Sequence, residues 1–293
     1  MGLAACTTIA ISPLSARTRE AAWFRNPNPH RPRRPSVIID ADCHISAPNS
    51  DALSVSAEEL VERMDGAGID RAIVWLKPPY DRDIDRENRY VYESWKRFPN
   101  RLLPFGWANP RLGPPHTRDS IKRCFDEYGF YGVKFNGAQD DYVIDDPDVL
   151  PLIEYAASFG KPIAFHIGAD SPENTHPTRL GHIAALLPET SFLMSHMGGA
   201  ALPPLDRAAV EVSMVHPNVF AIGSSIHELA IRHAIRALGS RRVCFGSDEP
   251  FRMARVQLAC WRALLDDVSA EERAEMLGGN IERLLDLDQK VGS

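Results

Sequence analysis

The sequence predicts an α/β protein that folds as a single (β/α)8 TIM barrel. Short apolar segments alternate with helical segments eight times between residues 36 and 288. The apolar segments are nearly continuous, which is typical of parallel strands that are covered on both faces. Eight βα units of this total length favour a closed barrel over an open sheet. No glycine-rich phosphate loop follows the first strand, so a dinucleotide-binding open sheet has little support.

Strands are predicted where apolar residues run together and a proline, glycine or polar residue follows. Pro78 and Pro79 close the second segment, and Asn109 with Pro110 follows the third. The predicted strands are 37–39, 71–76, 102–107, 131–135, 162–167, 191–195, 219–223 and 242–245.

Helices are predicted between these strands and after the last one. Ser56, with Glu59 three residues later, forms a capping box at the start of the first helix, and Gly68 ends that helix. Gly160 likewise ends the helix before the fifth strand. The predicted helices are 56–67, 85–97, 117–128, 147–159, 177–187, 203–215, 225–238, 253–265 and 270–285.

Residues 1–35 differ in composition from the rest of the chain. They contain six arginines and only one acidic residue, together with a cluster of prolines, and no hydrophobic period is sustained. This composition predicts a basic, flexible leader. The TIM-barrel domain is therefore expected to span residues 36–288.

Composition and charge exclude several classes of partner. The chain has 293 residues, of which 44% are hydrophobic and 25% charged, as in an ordinary globular protein. A net charge of −6 argues against nucleic acid, as does the absence of a basic patch with interleaved aromatic residues in the body of the chain. No apolar run is long enough to span a bilayer, so no membrane association is expected. The five cysteines are scattered and include no CxxC pair, which favours reduced thiols and a cytoplasmic location.

The first strand carries the strongest indication of chemistry. Its apolar start is followed by Asp40, Asp42 and His44 at alternate positions. Alternate residues of a strand face the same side, so these three side chains are expected to project together. Burying such groups is costly unless they are hydrogen-bonded or bind a cation. Alone, an Asp-x-His pair at a strand end indicates a hydrogen-bonded pair more often than a metal site.

Other ionisable or polar residues end four further strands. Lys134 and Asn136 end the fourth, His166 the fifth, His196 the sixth and Asp248 the eighth. The carboxyl ends of all strands of a TIM barrel face one mouth, where active sites lie. A single histidine there is usually structural, but a set around one mouth favours metal binding or catalysis.

Five short motifs of the chain resemble the amidohydrolase superfamily. They are the Asp-x-His of the first strand, Ala-Phe-His of the fifth, Ser-His-Met-Gly-Gly of the sixth, Phe-Gly-Ser-Asp-Glu-Pro-Phe after the eighth, and Gly-Gly-Asn-Ile-Glu-Arg near the C-terminus. Residues 36–287 are similar to the amidohydrolase-related branch, which also contains metal-dependent decarboxylases.

The resemblance implies one divalent metal ion, zinc or manganese, and commonly a homodimer. By analogy with the family, the metal ligands would be Asp42, His44, His166 and Asp248, with His196 beside them as a ligand or an acid–base group. The commonest first-strand motif of the family is His-x-His, whereas this chain has Asp42 at the first position. A carboxylate is a harder ligand than imidazole and favours zinc, manganese or magnesium.

Three functions remain open from the sequence. The first expectation is a metal-dependent hydrolase of a small carboxylated or cyclic substrate, in which Asp248 takes the proton of a metal-activated water and His196 polarises the substrate. The alternative is a non-oxidative decarboxylase of an aromatic or unsaturated acid, because carboxylates at the position of Asp42 are familiar among decarboxylases of the branch. The third is a non-catalytic barrel with a decayed site.

Substrate contacts are expected from residues at the barrel mouth. Lys134 would bind an acidic substrate, or lie free in solvent at the barrel end, and Asn136 ends the same strand. Arg179, His227 and Trp75 are placed in or near the mouth loops as candidates for specificity. The expected partner is a small-molecule substrate.

Overall fold

The computed structural model describes residues 37–48, 53–78, 83–168, 170–199 and 205–287, and it confirms the predicted TIM barrel. Eight strands form one sheet in the order β1 to β8, and each pairs in parallel with the next. The predicted leader, residues 1–35, lies outside the described residues.

The observed strands follow the predicted ones to within one residue except at β1. That strand begins at Ile39 and continues to Ile45, because the Asp-x-His segment itself pairs with the second strand as far as Leu76. The strands are β1 Ile39–Ile45, β2 Arg71–Leu76, β3 Leu102–Ala108, β4 Gly132–Phe135, β5 Ile163–His166, β6 Phe192–Ser195, β7 Val219–Gly223 and β8 Val243–Phe245.

Helices connect the strands as predicted, and the capping box of Ser56 and Glu59 is present. The single helix predicted at the C-terminus is divided, because a π-helical turn, Glu275–Gly279, interrupts it. No helix within the described ranges is long and apolar enough to cross a bilayer. The α-helices are α1 Ala57–Ala67, α2 Ile84–Arg97, α3 Pro114–Lys122, α4 Leu150–Ala157, α5 Pro172–Thr175, α6 Pro177–Leu186, α7 Leu205–Val215, α8 Glu228–Leu238, α9 Ala254–Leu264, α10 Ala270–Ala274 and α11 Asn280–Leu284.

The segment after β8 joins the last strand to the first. The backbone N–H of Asp248 donates to the carbonyl of Asp42 at 2.8 Å, and the N–H of His44 donates to the carbonyl of Glu249 at 2.7 Å. These two bonds continue the sheet across its seam at the carboxyl end of the strands. Backbone hydrogen bonds therefore hold the segment after the eighth strand beside the end of the first strand.

A β-bulge in β1 changes the direction of one predicted site residue. Asp40 is aligned with Ala72, but Cys43 is aligned with Val74, so β1 has one more residue than β2 over this stretch. Asp40 therefore lies on the side of the strand opposite to His44. Its Oδ1 accepts backbone N–H groups of Asp42 and Ser247, at 3.2 and 2.8 Å. The prediction that Asp40 faces the same way as His44 is wrong.

Asn88 of α2 completes the hydrogen bonding of β3 where its pairing with β2 ends. The aligned pairs of β2 and β3 stop at Pro104, while β3 continues to Ala108. The buried Asn88 side chain accepts the backbone N–H of Trp107 at 2.8 Å and donates to its carbonyl at 3.0 Å. The carboxamide thus replaces a strand neighbour and fixes Trp107 at the barrel mouth.

Asn88→Ala is expected to lower the free energy of unfolding by about 2–4 kcal/mol, because two backbone groups of Trp107 would stay buried without partners. Urea denaturation measures this loss. Asn100→Ala is the control, since Asn100 is exposed in the turn before β3 and should change stability by less than about 0.5 kcal/mol. Equal effects of the two substitutions would contradict the role of Asn88.

Candidate metal centre

Asp42, His44 and Asp248 form a buried cluster at the carboxyl end of the barrel. One ligand atom from each lies within 4.8 Å of the others. His44 Nε2 is 3.7 Å from Asp42 Oδ1 and 3.6 Å from Asp248 Oδ1. Strand alternation places Asp42 and His44 on one side of β1, and the seam with β8 supplies Asp248. This arrangement brings two carboxylate oxygens and one imidazole nitrogen toward a single point.

The His44 ring is oriented by its other nitrogen. Nδ1 lies 3.0 Å from the carbonyl oxygen of Leu76, which can only accept, so Nδ1 carries the proton and Nε2 keeps its lone pair. The indole N–H of Trp75 donates to that Nε2 at 3.1 Å. Fixing the tautomer through a backbone carbonyl is the usual way in which proteins orient a metal-binding histidine.

His166 and His196 form a second, adjacent pair of buried imidazoles. His196 Nε2 lies 3.2 Å from His166 Nδ1, and His196 Nδ1 lies 3.8 Å from Asp42 Oδ2. Burial lowers the pKa of His166 well below 6.5, and the neighbouring basic side chains of His196 and Lys134 act in the same direction. His166 therefore stays neutral, which leaves one ring nitrogen free of a proton. It lies outside the cluster of Asp42, His44 and Asp248 but borders it through His196.

Lys134 lies fully buried beside the cluster. Its Nζ is 3.7 Å from Asp42 Oδ1, which is too long for a hydrogen bond, and 3.6 Å from the centre of the Trp75 ring. Burial lowers its pKa, and the attraction of Asp42 opposes that shift. The structure therefore places the amine against the carboxylate and an aromatic face, and not in solvent.

Two serines directly after β7, which the sequence did not indicate as site residues, complete the site. The Ser224 hydroxyl donates to Asp42 Oδ2, and the Ser225 hydroxyl donates to Asp248 Oδ2 at 2.6 Å. The available signal was their position, since polar residues directly after a barrel strand lie at the mouth. The predicted helix start at Ser225 masked that signal; α8 begins only at Glu228.

The surroundings of Asp248 favour its ionised form. Burial raises the pKa of this carboxyl group, but the neighbouring imidazoles of His196 and His44 and the hydrogen bond from Ser225 outweigh burial, and the pKa falls below its ordinary value of 3.8. Asp248 is thus a carboxylate, which is the form that binds a cation.

Left-handed backbone occurs at three non-glycine residues of the site. The φ angles are 64° at His196, 48° at Ser225 and 67° at Asp248. Each costs about 1–2 kcal/mol for an L-residue, so the surrounding contacts must hold them in place. Such strain gathers at functional sites, where it directs a side chain that a relaxed backbone would point elsewhere.

The loops after β5 and β6 touch through two glycines. A side-chain carbon on Gly168 would lie 2.0 Å from the carbonyl oxygen of Gly198, and φ at Gly168 is 75°. Only glycine fits such an approach without moving backbone. These glycines follow His166 and His196 by two residues, so the close loop contact keeps the two imidazoles within hydrogen-bonding distance.

Two predicted substrate-binding residues, Asn136 and Arg179, make hydrogen bonds within their own loops. The Asn136 carboxamide oxygen accepts backbone N–H groups of residues 138 and 139, at 3.1 and 3.0 Å, and so shapes the turn after β4. Arg179 donates to Asp145 at 2.6 Å and to the carbonyl of Glu173 at 2.9 Å. These bonds shape the loops, and substrate binding by Asn136 and Arg179 stays a prediction.

The other two specificity candidates, His227 and Trp75, differ in burial and in contact with the cluster. His227 caps the N-terminus of α8 by accepting the N–H of Leu229 at 3.1 Å, and its side chain is 70% exposed. Trp75 is fully buried and contacts His44. Phe251, which the sequence did not indicate, packs edge-on against His44 with ring centres 5.3 Å apart and is 41% exposed. Trp75 and Phe251 therefore flank His44, and His227 does not.

The donor atoms suit one divalent cation. Among the described residues, eleven buried side-chain polar atoms have no hydrogen-bond partner, and Asp42 Oδ1, His166 Nε2 and Lys134 Nζ are the members of that set at this site. Buried polar atoms without partners are rare, and a bound ion is one reason for them. Carboxylate oxygens with imidazole nitrogens are ligands of zinc and manganese. Asp42 thus supplies a donor where the commonest family motif has histidine.

A protein-family model described as amidohydrolase matches residues 39–287. A curated relative, 2-amino-3-carboxymuconate-6-semialdehyde decarboxylase of Dictyostelium discoideum, is 23% identical over 288 residues, which cover 85% of this chain and 77% of the relative.

Solved structures have the same fold. 2,6-Dihydroxybenzoate decarboxylase from Rhizobium matches with a TM-score of 0.72 at 19% identity, over 86% of this chain and 99% of that chain. Dihydroxybenzoic acid decarboxylase from Polaromonas, with bound manganese and 2-nitroresorcinol, matches with a TM-score of 0.70 at 19% identity, over 86% of this chain and 98% of that chain.

The matches support an enzyme but not the expected reaction. The prediction of a hydrolase is wrong, because the curated relative and the similar solved structures named above are decarboxylases. The physical reason for the error is that both reactions use the same kind of metal site. The ligand pattern alone therefore could not separate them.

Gly168→Ala is expected to destabilise the protein more than Gly160→Ala. Both glycines have positive φ, 75° and 64°, but a side-chain carbon at Gly160 would meet no atom within 4 Å. Gly160→Ala, the control, should therefore lower the free energy of unfolding only by the backbone penalty of about 1–2 kcal/mol, whereas Gly168→Ala must also separate two loops. Denaturant unfolding compares the variants, and equal losses would show that the loop contact is not required.

Proposed function

The chain belongs to the amidohydrolase family, and from this premise we propose that it is a metal-dependent, non-oxidative decarboxylase. Its substrate would be a small aromatic or unsaturated carboxylic acid. The observation that carries the proposal is the buried cluster of Asp42, His44 and Asp248 in a chain whose relatives are decarboxylases.

Asp42, His44 and Asp248 would hold one zinc or manganese ion, with His166 as a further ligand through Nε2. The manganese bound in the Polaromonas relative supports this choice of ion. When bound, a divalent cation supplies a Lewis acid for the substrate carboxylate and a neighbouring oxygen. Lys134 adds positive charge beside Asp42, which suits an anionic substrate as well as the ligand carboxylate.

Decarboxylation breaks the bond between the substrate carbon and its carboxyl group, releases carbon dioxide and forms a C–H bond in its place. The reaction therefore needs a proton donor at the carbon. Asp248 and His196 are the two groups at the cluster that would deliver this proton; the Asp248 carboxylate would first take it up from water or from an acidic hydroxyl of the substrate. Ser225 holds the Asp248 carboxylate, and the contact with His166 holds the His196 ring.

Aromatic side chains beside the cluster would recognise an unsaturated ring or chain. Trp75 contacts the His44 ring from inside the barrel, and Phe251 contacts it from the rim. Flat apolar walls next to charged groups suit a molecule with an unsaturated body and a carboxylate. Phe251 is the exposed member, so it lies where a substrate would enter.

We also propose a cytoplasmic enzyme, since the cysteines at positions 43, 124, 244 and 260 are free thiols. The homodimer expected from the family resemblance stays a prediction. Measuring the molecular mass in solution, by sedimentation or by light scattering, tests it.

The direct test is a panel of aromatic and unsaturated carboxylic acids, with matching lactones and amides, assayed with added manganese or zinc. We expect carbon dioxide release from at least one acid, loss of that release after metal removal by a chelator, and its return when the metal is restored. Hydrolysis of a lactone or amide without carbon dioxide release would contradict the proposal.

Asp248→Asn tests the role of this carboxylate at the site. It should lower turnover of the active acid by at least about 100-fold, because a neutral carboxamide is a poor ligand and cannot exchange the proton. Asp119→Asn, at an exposed position of α3, should leave turnover unchanged. Near-normal rates in Asp248→Asn would show that Asp248 neither binds the metal nor carries the proton.

A further inference from the structure

A continuous chain of hydrogen bonds links four buried side chains of the site. The Ser224 hydroxyl donates to Asp42 Oδ2 and lies 3.1 Å from His196 Nδ1. His196 Nε2 in turn lies 3.2 Å from His166 Nδ1. The chain therefore runs from Asp42 through Ser224 and His196 to His166.

The direction of these bonds follows from the number of available protons. A carboxylate only accepts, so the single hydroxyl proton of Ser224 points to Asp42. The Ser224 oxygen is then an acceptor toward His196 Nδ1. The same Nδ1 lies 3.3 Å from the Ser224 backbone carbonyl, which also only accepts. His196 Nδ1 must therefore carry a proton.

The tautomer of His196 then determines that of His166. A neutral imidazole with its proton on Nδ1 has a lone pair on Nε2, so His196 Nε2 accepts from His166 Nδ1. His166 in turn has its proton on Nδ1 and a lone pair on Nε2. That Nε2 is buried and has no hydrogen-bond partner among the described residues. His44 has the same tautomer, because its Nδ1 donates to Leu76.

We propose that Ser224 is a positioning residue that sets the tautomers of His196 and His166. Through this relay, Asp42 both offers an oxygen to the cluster and, by way of Ser224, keeps the lone pair of His166 Nε2 available. Ser225 has a separate task, since its hydroxyl bonds to Asp248 and not to an imidazole. The two consecutive serines thus serve opposite sides of the site.

The relay is fixed by the backbone at both ends. Ser224 directly follows Gly223, the last residue of β7, and its Oγ also accepts the His196 backbone N–H at 3.4 Å. The opposite tautomer of His196 would bring a lone pair against the Ser224 carbonyl and lose the bond to Oγ. The arrangement therefore favours one tautomer before any ligand binds.

The first test is long-range ¹H–¹⁵N correlation spectroscopy of histidine rings in the metal-free full chain at pH 8.5, where imidazoles with a pKa of about 6.5 are neutral. His166→Asn and His196→Asn assign the signals. We expect protonated Nδ1 and unprotonated Nε2 at both His166 and His196. A proton on Nε2 of either residue in the wild-type chain would overturn the proposal.

The second test compares Ser224→Ala with Ser224→Thr, which keeps the hydroxyl. Ser224→Ala removes the 3.1 Å bond of His196 Nδ1 to Oγ and keeps only its 3.3 Å contact with the carbonyl of residue 224. The second tautomer should therefore become populated at His196 and His166, and zinc binding, measured by competition with a chromophoric chelator, should weaken about 10- to 100-fold. Ser224→Thr should restore both properties. Ser213→Ala is the control, because its buried hydroxyl bonds to Ala209 within α7, and it should change neither.

Unchanged tautomers in Ser224→Ala would overturn the relay, whether or not zinc binding weakens. The zinc measurement rests on the metal site of the proposed function, but the tautomer measurement does not. A chain that shows the predicted tautomers and decarboxylates no acid would therefore contradict the proposed function and leave the relay supported.

Discussion

Two carboxylates, Asp42 and Asp248, are held close together in the buried end of the barrel by the seam between β8 and β1. The backbone bond from Asp248 to Asp42 fixes their spacing. Burying like charges is costly unless positive charge and hydrogen bonds compensate. Lys134, the serine hydroxyls and the imidazoles supply part of that compensation, and a divalent cation would supply the rest. Most other polar contacts at the barrel mouth stabilise these two buried carboxylates.

The support for the cluster comes from several strands and loops that are distant in sequence. Glycines bring the loops after β5 and β6 into contact, serines after β7 bind the carboxylates, and Asn88 fixes the end of β3. Left-handed backbone at His196 and Asp248 aims those side chains inward. A site held in this way is preorganised, because its side chains need little rearrangement to meet a ligand.

The sequence predicted the barrel and much of the site because both follow simple periodicities. Alternation in β1 identified Asp42 and His44, and the strand ends identified His166, His196 and Asp248 as residues of one mouth. The direction of Asp40 was not predictable, since a bulge adds one residue to the strand. Ser224 and Ser225 were missed because serine after a strand is common, and their role depends on side chains from other strands. The reaction was also misjudged, because hydrolases and decarboxylases share this kind of ligand set.

The central claim is that side chains from different strands converge on one cation. A crystal structure of the zinc-loaded full chain, with anomalous scattering recorded at the zinc edge, tests it most directly. We expect a single strong peak at about 2.0–2.2 Å from ligand atoms of Asp42, His44 and Asp248. No peak at the cluster, or zinc bound only elsewhere on the protein, would contradict the account.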